Sequence, residues 1–176
     1  MKDKKLLYLF LFIFFIIFFI TTFLSMQNNQ TSNVSYNDLL IFFNDPINSL
    51  PNLALKYNAN SLFQYFSFKG VKAYIEFPLS LEAAFKIAKE KDLKYLLEIK
   101  SNLLSYSRSS SGYSVKLEVI VSVYILNDPN SKFSSVDTGI SENALSSDIA
   151  FAYAFYDGSI KAINKIETDL LNLLKK

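Results

Sequence analysis

The sequence of 176 residues contains no cysteine, no histidine and no tryptophan, and its only arginine is Arg108. The missing cysteine rules out a disulfide, a thiolate nucleophile, a thiolate metal site and the lipid-bearing residue of a lipoprotein leader. The missing histidine removes the usual proton-transfer group near neutral pH and the commonest metal ligand. Charge of one sign is scarce too. The formal net charge is +2, and the three lysines and single aspartate at positions 2–5 account for that excess, so the remainder of the chain is neutral. Nucleic-acid binding draws on a surplus of positive charge that releases counterions, and no such partner is expected here.

What is present begins with a long apolar run. From Leu6 to Leu24 there is no charge, and only Thr21 and Thr22 interrupt the hydrocarbon. A helix needs about 20 residues to cross a bilayer core, whereas the apolar part of a signal peptide is typically about 7 to 15. Cleavage after Ser25 would put Phe23 where a small residue is wanted. The run therefore reads as an uncleaved signal-anchor, with a cleaved, exported form as the alternative. Lys2, Lys4 and Lys5 precede it and the next basic residue is Lys56, which keeps the N-terminus inside by the positive-inside rule. The expected division is residues 1–5 in the cytoplasm, 6–25 across the cytoplasmic membrane, 26–34 a polar tether and 35–176 an extracytoplasmic domain.

That domain is large enough for one core. "SYNDLLIFF" opens with Ser35 and Asp38 in capping-box spacing, which predicts a helix stopped by Asp45-Pro46. "NLALKY" alternates Leu53, Leu55 and Tyr57 and reads as a short strand; "NANSLFQYFSFKG" reads as a helix ending at Gly70. "VKAYIEF" alternates as a half-buried strand that Pro78 ends. "SLEAAFKIAKEKD" is a helix capped by Ser80, with Glu82 in its first turn and an inner stripe of Leu81, Ala84, Phe85 and Ala88. Lys86, Lys89 and Lys91 face water. Two long strands, "LKYLLEIKSNLLSY" and "YSVKLEVIVSVYIL", flank the polar loop "SRSSSG", and a third follows the Asp128-Pro129 turn through "FSSVDTGIS". The last segment is a long amphipathic helix with Ile149, Ala152, Tyr153, Tyr156, Ile160, Ile163, Ile166, Leu170 and Leu174 inward. Gly158 within it marks a bend or a close contact. After a leading helix the order is β-α-β-α-β-β-β-α, an α+β domain with one mixed or antiparallel sheet packed against helices.

Residues 81–174 resemble a domain of bacterial envelope accessory proteins, the group of the TolB amino-terminal domain, CsgG and LpoB. The features that carry it are "EAAFKIAKEKDLKYLLEI", "VKLEVIVSVYILNDPNSK" and "AINKIETDLLNLL". The resemblance implies scaffold or activator work in envelope assembly and brings no catalytic residue with it.

Catalytic chemistry has few candidates. Asp128, Asp137, Glu142 and Asp148 are the densest carboxylates, and turn or helix-start roles account for them. The serines of "SYSRSSSGYS" have no histidine to activate them, and no G-x-S-x-G elbow, S-x-x-K motif or Gly-rich phosphate loop occurs. The chain is therefore read as a non-enzyme with no catalytic, metal or cofactor-binding residues. Arg108 between Tyr106 and Tyr113 has the composition of an interface anchor, and these three residues are the candidate partner contact. Two functions compete: a membrane-anchored interaction or scaffold protein with an envelope protein partner, and a carrier or sensor holding an apolar ligand between sheet and helices, beside Phe63, Phe66, Phe151 and Phe155.

Overall fold

A computed structural model describes residues 35–44, 50–77 and 80–175. The readings of residues 1–5, 6–25 and 26–34, of Asp45-Pro46 and of Pro78 lie outside these residues. Among the described residues no helix is long and apolar enough to cross a membrane. The elements are β1 (Leu39–Phe43), α1 (Asn52–Phe68), β2 (Ala73–Glu76), α2 (Leu81–Glu90), β3 (Tyr95–Ser109), β4 (Gly112–Ile125), β5 (Phe133–Ala144) and α3 (Ser147–Leu174). They build a mixed five-stranded sheet in the order β2-β1-β3-β4-β5. β1 runs parallel to β2 and β3, while β3, β4 and β5 are antiparallel neighbours.

The sheet carries helices on both faces. Leu39, Ile41 and Phe43 point into the larger core with α1 and α3, and Leu40 and Phe42 point into a smaller one with α2. A strand covered on both faces reads as an unbroken apolar run, and "LLIFF" is buried throughout. This overturns the expected leading helix. Asp38 does not complete a capping box; its carboxylate pairs with Lys72 at 3.4 Å.

The expected strand at "NLALKY" is the first half of α1. Its buried side chains are Ala54, Asn58, Leu62 and Phe66, a four-residue repeat that the polar Asn58 conceals. α1 closes as expected near Gly70, whose φ of +77° suits a residue without a Cβ, and Val71 N–H returns to Phe66 O at 3.0 Å. Ser80 caps α2, its Oγ accepting from Ala83 N–H at 3.2 Å. Ala84 and Ala88 are buried beneath it as the stripe required, with Leu81 and Phe85 packed at the margin.

The inner stripe of α3 departs from expectation. Tyr153 is exposed and Tyr156 half-buried, while Ala150, Ala154, Phe155, Gly158, Ser159 and Ala162 join Ile163, Ile166, Leu170 and Leu174 inside. Small residues win because the helix lies close on β4 and β5. A Cβ built at Gly139 would stand 1.7 Å from Ala154 O, and one at Gly158 would stand 2.5 Å from Val119 Cγ2. Gly158 is thus a close contact between helix and sheet.

Candidate functional site

β1 pairs with β3 only from Tyr95 to Ile99. Beyond Ile99, β3 continues to Ser109 with β4 as its one strand neighbour among the described residues. At about 3.3 Å per residue this stretch projects roughly 30 Å past the end of β1. β5 accompanies β4 as far as the Tyr113–Ala144 pair, so the projection is a three-stranded arm with β3 at its edge.

The expected loop "SRSSSG" is mostly strand: β3 runs through Ser109 and β4 starts at Gly112, leaving Ser110 and Ser111 as the connection. Gly112 has φ +135°, and a Cβ there would meet Ala144 O at 2.6 Å. Ser111 Oγ donates to Asn143 Oδ1 at 2.8 Å, which ties the tip to β5.

The structure brings Tyr106, Arg108 and Tyr113 together on one face. Strict alternation would put Leu103 and Tyr106 on opposite faces, but an irregularity between Leu103 and Ser105 leaves Leu104 as an extra residue. Leu103 then pairs with Leu117, Tyr106 with Val115 and Arg108 with Tyr113. Leu117 and Val115 belong to the larger core, so all these residues share the face that α3 covers. Tyr106 lies between two rings: its centroid is 6.4 Å from that of Tyr113 and 6.0 Å from that of Phe151 on α3, with interplanar angles of 29° and 22°. The Arg108 guanidinium carbon stands 5.3 Å from the Tyr113 centroid. Arg108 has no salt bridge among the described residues. Tyr106 is nonetheless 48% exposed, and Leu103 and Leu104 are exposed beside it. Leu145, just after the end of β5, is 91% exposed at the same end of the molecule. On the flank of the arm a shallow cleft of about 230 Å³ opens between Ser105, Lys116, Ile140 and Glu142.

Phe151 was not among the expected contacts. The expected inner stripe runs through Ile149, Ala152, Tyr153 and Tyr156, and Phe151 enters the sequence reading only beside the apolar ligand of the carrier alternative. The four ring residues of the carrier reading separate in space. Phe66 and Phe155 are fully buried in the core, Phe63 is exposed on α1, and Phe151 stands under the arm.

At the root of the arm Glu98 is 1% exposed. Asn44 Nδ2 donates to its Oε1 at 2.7 Å, Tyr124 hydroxyl donates to Oε2 at 2.9 Å, and Lys100 Nζ lies 3.1 Å from Oε1. Burial, and then the bond to Glu98, push the Tyr124 phenol up to about 12. This cluster ties the end of β1 to β3 and β4. A second cluster joins α1 to α3: Tyr65 hydroxyl donates to Glu167 at 2.8 Å, and Lys69 pairs with the same carboxylate. The Lys69 bond holds the Glu167 carboxyl below its ordinary range, while burial raises the Tyr65 phenol.

The four carboxylates singled out in the sequence do not converge. Asp128 pairs with Lys132 at 2.8 Å and accepts from Asn130 N–H at 3.0 Å, which lowers it. Asp137 accepts from Thr138 N–H at 2.7 Å and pairs with Lys165 at 3.0 Å, also lowering it. Glu142 lines the arm cleft and Asp148 occupies the first turn of α3. Among the described residues no group of three or more acidic side chains could hold a metal ion.

No protein-family model matches the chain, and no curated protein matches it. Solved bacterial structures are similar to it in part, at low identity. PelC from Paraburkholderia phytofirmans, solved as a dodecamer, has a TM-score of 0.49 and 11% identity over 73% of this chain and 85% of that one. Lipoprotein GNA1162 from Neisseria meningitidis has a TM-score of 0.42 and 12% identity over 76% of this chain and 99% of that one. Protein XCC0632 from Xanthomonas campestris, of the DUF330 family model, has a TM-score of 0.39 and 14% identity over 81% of this chain and 87% of that one.

Proposed function

We propose that this chain is a non-enzymatic interaction protein of the bacterial cell envelope, held at the cytoplasmic membrane by residues 6–25, whose extracytoplasmic domain docks an envelope protein through the β3–β4 arm. The observation that carries the reading is the half-exposed Tyr106, stacked between Tyr113 and Phe151 beside an Arg108 that has no acidic partner among the described residues. A ring already held by two others loses little conformational freedom on binding, and aromatic residues with arginine are the usual anchors of protein interfaces. Leu103, Leu104 and Leu145 would exclude water around them. The resemblance to the TolB, CsgG and LpoB group supports accessory work in envelope assembly rather than catalysis.

The test is covalent crosslinking in intact cells followed by recovery of the tagged full-length chain. Tyr106→Ala and Arg108→Ala should each abolish recovery of the crosslinked envelope protein while the chain stays at wild-type abundance. Undiminished recovery by both variants would sink the arm as the docking surface.

A further inference from the structure

The end of the domain opposite the arm carries a different surface. The parallel strands start together there, because Leu39 pairs with both Ala73 and Tyr95. The first described residue, Ser35, lies at the same end. Tyr36 bridges to Lys175, Asn37 N–H donates to Leu174 O at 2.7 Å, and the Tyr36 ring approaches Gly70. This end therefore gathers Phe68, Lys69, Lys72, Lys94 and Lys175 around the point from which the N-terminal segment departs.

Phe68 is 81% exposed, the most exposed aromatic ring among the described residues. Of the lysines, Lys69 pairs with Glu167 and Lys72 with Asp38. Lys94 lies over the Tyr95 ring and Lys175 donates to Asn172 Oδ1, and neither has an acidic partner among the described residues. Both are exposed.

The geometry points to this end as a lipid-facing base: Phe68 enters the headgroup region and Lys94 and Lys175 face anionic headgroups. The inference rests on the reading of residues 6–25 as an anchor. Between that run and Ser35 lie only residues 26–34, which even fully extended reach about 30 Å. The connection enters the domain at Ser35, at the base. Exposed apolar rings bury at the boundary of headgroups and acyl chains, and unpaired lysines within a Debye length of an anionic surface are drawn to it. With the base against lipid, the arm points away from the membrane.

The natural chain has no tryptophan, so Phe68→Trp and Tyr106→Trp each give a single reporter. The full-length variants are reconstituted into vesicles of phosphatidylcholine and phosphatidylglycerol, with and without brominated acyl chains. The indole of the F68W variant is expected to blue-shift and to lose emission in brominated vesicles, while that of the Y106W variant keeps its emission. Reversing charge with Lys94→Glu and Lys175→Glu in the F68W background should weaken the quenching in vesicles containing phosphatidylglycerol. A chain that floats with the vesicles but shows no more quenching at position 68 than at 106 overturns the lipid-facing base and leaves the anchor standing. A chain that fails to float overturns both.

Discussion

Tyr124 and Glu98 illustrate how one buried pair makes the root of the arm sensitive to alkali. The phenol donates to a carboxylate that is sealed from water, so ionising it would place two negative charges side by side in a site with little solvent. Its folded value of about 12 lies above the ordinary 10.0. A group whose value is raised on folding contributes stability that is complete below the unfolded value and is lost as pH climbs through the folded one. The contribution is therefore intact below pH ~10 and declines as the pH rises towards about 12. Tyr124→Phe should be less stable than wild type near neutrality, by about 1 kcal/mol for one lost hydrogen bond, and the gap should narrow across that alkaline window. Urea denaturation at a series of pH values measures it; a gap constant from neutrality to alkali would rule this origin out. Little of this was legible in the sequence. Alternation in "YLLEIK" puts Glu98 on the face opposite Leu97, and nothing local reveals that Asn44 and Tyr124 close over it. Arg108 was legible because it is the only arginine in the chain. Phe151 was not, since its role depends on where α3 lies across β4 and β5.

At the scale of elements, long patterned segments were readable and doubly covered ones were not. The alternation of Val115, Leu117, Val119, Val121 and Val123 identified β4, and all five are buried. β1 has no alternation to read because both its faces are covered, and a serine three residues before an aspartate mimics a helix start. α1 failed the other way: Leu53 and Tyr57 alternate in sequence but both are exposed, while the true stripe runs through Asn58. Asn58 Nδ2 donates to Ala54 O at 2.9 Å and Ala152 O at 3.3 Å, so a polar residue sits at a helix–helix contact. The fit of α3 on the sheet is the most exacting element contact. A methyl at Gly139 has no room, because the atom it meets is the Ala154 carbonyl oxygen and a helix backbone cannot step aside alone. Gly139→Ala should therefore cost about 3 kcal/mol, lowering the melting temperature by about 10 °C for a chain of this size. Gly158→Ala should cost less. Its nearest contacts are wider than the 1.7 Å at Gly139, with Val119 Cγ2 at 2.5 Å and Gly139 N at 2.9 Å, and alanine recovers about 1 kcal/mol of helix propensity. Thermal denaturation of the two variants checks the order; equal melting temperatures would mean that the helix is not seated on Gly139.

For the whole molecule, the topology separates a sealed body from a one-sided arm. β1 lies between β2 and β3 with a core on each face, so its amides can reach water only when the sheet opens. β3 from Lys100 to Ser109 has β4 on one side and no strand on the other among the described residues, with most of its side chains exposed. Opening free energies run from near zero at exposed edges up to the full unfolding free energy in buried strands. Native-state hydrogen exchange should therefore find Leu39–Phe43 among the slowest amides and the outward-facing amides of Lys100–Ser109 among the fastest. A free, long strand edge with apolar side chains is a template for another strand, and proteins ordinarily blunt such edges. Here the irregularity at Leu104 and the charges of Lys100 and Arg108 are the visible devices. Exchange followed across a dilution series separates the two states open to that edge. Fast exchange at every concentration means the arm stands alone until its partner arrives. Protection of Lys100–Ser109 that disappears on dilution would mean that copies of the chain already occupy the edge, and the crosslinked partner should then be sought against the face of Tyr106 rather than along the strand.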